Sequence, residues 1–302
     1  MRKKYHMFGQ SARVMEVRLP SNMEKKAYII MGPTASGKSA YAVQLAKKVG
    51  GEVISADSRQ VYRGMDIGTG KVTKKEMAGI PHYLLSVADP RRRYSVARYQ
   101  RDAARTLQSI LVRGKTPIIC GGTGLYIDAL VEGALLPSVP PNPALRKKLE
   151  RINTEQLFTL LKKKDPRRAQ MIDAKNPRRL IRALEITEVL GKVPRMQKRA
   201  LEGIKFEWIG IDLPDEKLKK KIHLRLLSRM RGGMLAEVKR LRTRGLSWKR
   251  MESFGLEYRW LARYLQNKIT KEEMLEKLEM DIWHYAKRQR TWFKRNKKIK
   301  WV

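Results

Sequence analysis

The segment AYIIMGPTASGKS, residues 27–39, decides the fold class. Ala27–Met31 is a short apolar run and reads as a buried strand. Gly32, Pro33, Thr34, Ala35, Ser36, Gly37, Lys38 and Ser39 then satisfy G-x-x-x-x-G-K-[ST] at every position. From Ser39 to Val49 apolar residues recur at helical spacing until Gly50-Gly51 stops them. The glycines let the backbone curl so that its N–H groups face one centre. The helix N-terminus adds partial positive charge, Lys38 adds a full one, and the Ser39 hydroxyl is in reach of a Mg2+ ion. Taken alone, the loop specifies a nucleotide such as ATP or another di- or triphosphate, without saying which.

Downstream, Glu52–Ala56, His82–Val87, Thr116–Cys120 and Phe206–Leu213 read as further strands. Ser95–Val112 reads as a long helix between the third and the fourth. Strands alternating with helices argue for an α/β fold with a parallel, P-loop NTPase-like sheet. The pattern changes at the proline-rich stretch 137–143, after which 144–202 reads as helices only. The expected organisation is a P-loop core of residues 27–140 and 203–302 interrupted by an all-helical insertion, 141–202. After Pro214 the chain again reads as helical, with a last long helix near Lys271–Asn296. Residues 1–26 are basic and lack an apolar centre. They read as a disordered extension rather than a secretory signal, with an earlier-called start before Met23 or a nucleic-acid-binding arm as the alternatives.

Charge narrows the function. The 302 residues carry 67 Lys and Arg against 29 Asp and Glu, a net charge of +38. Residues 141–302 hold 44 basic and 19 acidic side chains, against 23 and 10 in 1–140. A polyanionic partner follows from this excess. With 42% hydrophobic residues the chain has enough apolar content for a core. No apolar run approaches the roughly 18 residues that a membrane helix needs, so no membrane association is expected. A single Cys120 and four scattered His residues exclude a disulfide framework and a cysteine zinc cluster.

Asp57 stands at the carboxyl end of the second strand, where α/β sheets place their chemistry. A carboxylate there can act as general base beside the P-loop phosphates; the alternative is a cap for the following turn. The Gly-rich stretch RGMDIGTGK, 63–71, reads equally as a surface loop or as part of the site.

Six blocks in order then carry a resemblance: GPTASGKS (32–39), ISADSRQVYRGMDIGTGK (54–71), YSVARYQRDA (94–103), GGTGLYIDAL (121–130), NPRRLIRALEI (176–186) and AKRQRTWF (286–293). Together they resemble the bacterial tRNA dimethylallyltransferase (tRNA isopentenyltransferase) family. The resemblance implies transfer of a dimethylallyl group from dimethylallyl diphosphate to the exocyclic amine of the adenosine 3′ of the anticodon, with release of diphosphate. It implies that residues 32–39 hold the diphosphate with Mg2+ near Ser39, and that Asp57 takes the amine proton. Ser58, Arg59 and Gln60 would contact tRNA, and Thr123 would face the reacting nucleotide. Arg225 falls where the family has an arginine near the diphosphate. Arg146, the block Arg178, Arg179, Leu180, Ile181 and Arg182, and Lys287, Arg288, Gln289 and Arg290 would contact the anticodon stem-loop. Trp283, Tyr285, Trp292 and Phe293 are either stacking partners for bases or core residues of an amphipathic helix. Two segments depart from the family pattern: Ser253–Arg259 is two residues longer, and Ile282-Trp283-His284 replaces a Thr-Arg pair. A cytoplasmic, monomeric enzyme is expected. A P-loop small-molecule kinase would not explain the +38 charge. An enzyme alkylating free adenine nucleotides would not need the basic helical half. A non-catalytic RNA-binding protein would not need Lys38, Ser39 and Asp57 together.

Overall fold

The computed structural model describes residues 25–133, 137–195, 197 and 201–302. The expectation for residues 1–24 lies outside them. Lys25 and Lys26, assigned above to the extension, instead open the first strand, because pairing with the fifth strand (Lys25 with Ile204, Lys26 with Lys205) extends it to them.

Six strands form one parallel sheet: β1 (Lys25–Met31), β2 (Gly51–Ser55), β3 (His82–Tyr83), β4 (Thr116–Gly121), β5 (Ile204–Gly210) and β6 (Lys300–Trp301), in the order β3-β2-β4-β1-β5-β6. This is the expected P-loop α/β core. The apolar runs of β1 and β4 are continuous because helices cover both faces of a parallel sheet. Ile29 and Ile119 pack on one face, Ile30 and Ile118 on the other. Fully burying one such side chain contributes about 1.5–3 kcal/mol. The third strand is shorter than the expected His82–Val87, since Leu84 and Ser86 take left-handed backbone angles (φ 62° and 54°) and break the ladder. β6 was not foreseen; it is two residues at the sheet edge beside Ile209 and Gly210.

Helices α1 (Lys38–Val49), α2 (Lys74–Met77), α3 (Val96–Val112) and α4 (Gly124–Val131) follow successive strands and loops. The described residues separate into two compact units, 25–133 with 201–302 and 137–195 with 197. The smaller unit contains α5 (Pro143–Leu149), α6 (Thr154–Lys164), α7 (Pro166–Met171) and α8 (Pro177–Leu190). Asn142, Asn153, Asp165 and Asn176 cap these helices through their side chains, and Pro143, Pro166 and Pro177 take the first position of three of them. Val139, placed above in the P-loop core, packs in this unit's core with Leu157, Leu161 and Leu180. The larger unit ends in α9 (Asp215–Arg231), α10 (Met234–Thr243), α11 (Trp248–Phe254), α12 (Leu256–Leu265) and α13 (Lys271–Phe293).

Register positions the chemistry. Met31 pairs with Gly121, and Ser55 with Cys120, so β1, β2 and β4 end together. The P-loop, the segment from Asp57 and the turn at Gly122-Thr123 therefore leave the sheet along one edge, the edge where open α/β sheets bind ligands.

Candidate active site

At this edge the larger unit holds a cavity of about 420 Å3. Thr34, Lys38 and Ser39 come to it from the P-loop and α1, and Asp57, Ser58, Arg59 and Gln60 from the end of β2. α9 contributes Arg225 and Arg229, α12 Glu257, and α13 Tyr285 and Arg288.

The P-loop is tightly seated. A Cβ at Gly32 would stand 2.2 Å from the Ile211 carbonyl oxygen, so only glycine lets β1 turn here. Lys38 Nζ donates to the Pro33 carbonyl at 3.1 Å, curling over its own loop. Burial pulls the Lys38 ammonium below its ordinary pKa and nearby Arg225 adds to this, while Cys120 and Asp57 oppose it. The Ser36 hydroxyl is buried and makes no hydrogen bond among the described residues. A partly buried ammonium curled over a P-loop is the environment of an anion site.

Asp57 lines the same cavity. Its Oδ1 accepts the N–H groups of Arg59 (2.8 Å) and Gln60 (3.2 Å), which leaves Oδ2 unused among the described residues. Cap and candidate base are thus the same side chain, one oxygen for each task. Thr123 Oγ1 accepts the Ser58 N–H at 3.0 Å and donates to Ser58 Oγ at 3.4 Å. Burial, with the Asp57 charge, pushes the Tyr285 phenol up to about 12. Arg59 donates to the Phe254 carbonyl (3.0 Å) and lies over the Phe254 ring.

The Gly-rich loop belongs to the site. The Gly70 carbonyl accepts from Arg225 (3.3 Å) and Gln60 (3.2 Å), and the Gly68 carbonyl from Arg229 (3.5 Å). Gly70 has a φ of +57°, and a Cβ there would lie 1.6 Å from the Arg229 guanidinium and 2.4 Å from that of Arg225. Burial, and then the neighbouring Arg229 charge, pull Arg225 down to about 10. Arg229 pairs with Glu257 at 3.2 Å. Burial raises the Glu257 carboxyl against the pull of that arginine.

Several expected RNA contacts have other duties. Leu180 and Ile181 are buried in the core of the smaller unit, because an amphipathic α8 turns these two positions of the RRLIR block inward. Arg146 is held by Glu185 through two short bonds (2.6 and 2.5 Å), and Arg182 by Glu185 (3.3 Å) and the Val139 carbonyl (2.8 Å). Arg178 and Arg179 are exposed, Arg179 lying 3.9 Å from Asp173. On α13, Lys287 and Arg288 are exposed, but Gln289 is buried. The Gln289 amide bridges the Thr34 N–H and the Gly122 carbonyl, both at 2.8 Å. Arg290 is committed to Asp212 (2.8 Å), Asp215 (2.5 Å) and the Leu213 carbonyl. Phe293 is core, Trp292 donates to Asp128 at 2.9 Å, and Lys219, Lys287 and Arg290 lie over the Trp283 ring. Both segments that depart from the family pattern reach the cavity, through Phe254–Arg259 and Ile282.

Sequence reading missed Arg229, Glu237, Glu257 and Tyr258. Arg229 follows Arg225 by one helical turn, a spacing that puts both on one face. The others carry no local signal. No group of three or more metal-ligating His, Cys, Asp or Glu occurs among the described residues.

Two family models match the chain: IPP transferase over residues 60–296 and isopentenyl transferase over residues 25–90. The tRNA dimethylallyltransferase of Thermomicrobium roseum is 40% identical over 285 residues, spanning 93% of this chain and 87% of its own. The tRNA dimethylallyltransferase 2 of Treponema denticola is 42% identical over 282 residues, spanning 91% and 94%. Among solved structures, the full-length tRNA isopentenylpyrophosphate transferase of Bacillus halodurans aligns with a TM-score of 0.69 at 37% identity, over 93% of this chain and 90% of that one. A eukaryotic dimethylallyltransferase, captured acting on tRNA, aligns with a TM-score of 0.76 at 28% identity, over 89% and 70%.

Proposed function

Because the chain belongs to the IPP transferase family, we propose that it prenylates tRNA, moving a dimethylallyl group from dimethylallyl diphosphate to the exocyclic amine of the adenosine 3′ of the anticodon. One observation carries this reading. A single cavity is lined by the cations Lys38, Arg225 and Arg229, by Ser39, and by Asp57, a carboxylate with one oxygen unused among the described residues.

The chemistry needs both the cations and the carboxylate. An adenine amine is a weak nucleophile because its lone pair is delocalised into the ring. As its nitrogen bonds to the allylic carbon, the carbon–oxygen bond to diphosphate breaks and the electron pair leaves with the diphosphate. Asp57 Oδ2 accepts the amine proton, and Oδ1, held by two backbone N–H groups, keeps the carboxylate oriented. Lys38, Arg225, Arg229 and those P-loop N–H groups not already bonded within the protein stabilise the departing anion. A base inside a stacked loop cannot enter a cavity of this kind, so the adenosine is flipped out.

A Mg2+ ion fits this donor set. The Ser39 hydroxyl lines the cavity and would hold the ion, since Mg2+ is commonly bound by few protein ligands together with substrate phosphates and water. When bound, it neutralises charge on the diphosphate. Exposed Lys287, Arg288, Arg178 and Arg179 supply backbone attraction for RNA. No helix among the described residues is long and apolar enough to cross a membrane, and a tRNA substrate suits a cytoplasmic enzyme.

The test is incubation with labelled dimethylallyl diphosphate, Mg2+ and tRNA lacking the modification, beside a tube holding AMP, ADP and ATP instead. Label in tRNA alone is expected. Label in the free nucleotides would overturn the tRNA assignment, and no transfer by folded protein would overturn the reaction.

A further inference from the structure

We infer that Glu237 is a positioning residue for the cavity's arginine wall, acting through the Gly-rich loop that it clamps; the inference rests on the diphosphate reading above.

Glu237 lies on α10, is 2% exposed and does not line the cavity. Its carboxylate accepts three consecutive backbone N–H groups, those of Asp66 (2.8 Å), Ile67 (2.6 Å) and Gly68 (3.1 Å). It also accepts the Tyr258 hydroxyl at 2.8 Å. Successive N–H groups converging on one point form an anion nest, here filled by a side chain of the protein itself. A buried carboxylate is an expensive way to fill a core position that apolar residues fill more favourably. Four donors to one carboxylate mark a position that needs the charge.

What the clamp holds is the loop's far side. With its N–H groups turned to Glu237, the loop presents the Gly68 and Gly70 carbonyls to the cavity. They accept from Arg229, Arg225 and Gln60, all three of which line it. Two neighbouring guanidinium groups repel each other, so their placement depends on acceptors in fixed positions. Those acceptors are the two glycine carbonyls and Glu257. The loop also rests on Tyr258, since a Cβ at Gly68 would stand 2.8 Å from that ring. Glu237 thus binds both the loop and the residue beneath it.

The test measures inorganic diphosphate binding to the full-length resting protein by calorimetry, alongside steady-state kinetics. Glu237→Gln keeps the shape but turns an amide group toward three N–H donors. We expect diphosphate affinity to fall, and KM for the allylic donor to rise, by about tenfold, the order of a lost charged hydrogen bond. KM for tRNA should stay within about twofold, a split that general destabilisation would not produce. Glu237→Asp keeps the carboxylate with a shorter reach and should fall between the two, which serves if Glu237→Gln does not fold. Unchanged diphosphate affinity in a folded variant would overturn the inference while leaving the diphosphate reading intact. Failure of the unaltered protein to bind diphosphate would overturn that reading and this inference with it.

Discussion

Gln289 Oε1 accepts the backbone N–H of Thr34 at 2.8 Å, across 255 positions of sequence. Its Nε2 reaches the Gly122 carbonyl at the same distance, so one buried amide ties the last long helix to the P-loop and to the turn that carries Thr123. Gln289→Ala leaves the Gly122 carbonyl unpaired in a buried place, a loss of about 1–3 kcal/mol. A lower melting temperature and a raised KM for the allylic donor are expected, with tRNA affinity nearly unchanged. A selective loss of tRNA affinity would return Gln289 to the RNA interface.

Asp57 has a division of labour that two substitutions separate. Asp57→Asn retains an acceptor for the Arg59 and Gln60 N–H groups and removes the base. It should lower kcat by roughly 10²–10⁴ while leaving the melting temperature and tRNA affinity close to normal. Asp57→Ala removes the cap as well and should also destabilise the segment after β2. A near-normal rate in either variant excludes Asp57 as the base.

Gly70→Ala tests the Gly-rich loop from its other end. An alanine at φ +57° is strained by about 1–2 kcal/mol. Its methyl group would also displace the Arg225 and Arg229 guanidinium groups. Donor binding should weaken more than overall stability suggests. Equal donor KM values in the variant and the unaltered protein would exclude the loop from the diphosphate site.

The arginines of the smaller unit divide into exposed and committed ones. Joint replacement of Arg178 and Arg179 by Ala should raise KM for tRNA and flatten its salt dependence without a change in melting temperature. Arg146→Ala should instead lower stability, since it leaves the fully buried Glu185 carboxylate without its main partner; breaking such a pair costs about 3–5 kcal/mol. An unchanged melting temperature for Arg146→Ala would contradict this assignment.

Acid should open the smaller unit. Burial opposes ionisation of Glu185, but the hydrogen bonds from Arg146 and from the Asn142 N–H outweigh it and hold the carboxyl below its ordinary pKa. Asp165 is likewise lowered against its burial by the N–H groups of Arg168 and Val193. Carboxyls with depressed folded values stabilise at neutral pH, and that stability is lost as pH falls from the ordinary range near about 4 through the lowered values. Amide exchange on α6 and α8 should therefore accelerate below about pH 4. Protection that persists unchanged into stronger acid would exclude these carboxylates as the acid-sensitive anchors.

The sequence by itself determined what local chemistry can encode. The P-loop is legible because phosphate binding needs glycine, lysine and a hydroxyl at set spacing between a strand and a helix. Continuous apolar runs such as Ala27–Met31 announce a buried strand, and the proline-rich stretch 137–143 marks where the pattern turns to helices only. Tertiary structure alone decided which side of each motif faces the site. In the RRLIR block and the KRQR run a helix rotates neighbouring residues by about 100°, so exposed Arg178 and Arg288 stand beside buried Leu180 and Gln289. A motif names residue types but not the direction in which each one points. The Glu237 clamp was beyond reach for a different reason. Its donors lie about 170 residues away, and nothing in the local pattern of α10 distinguishes a glutamate facing water from one that gathers three distant N–H groups.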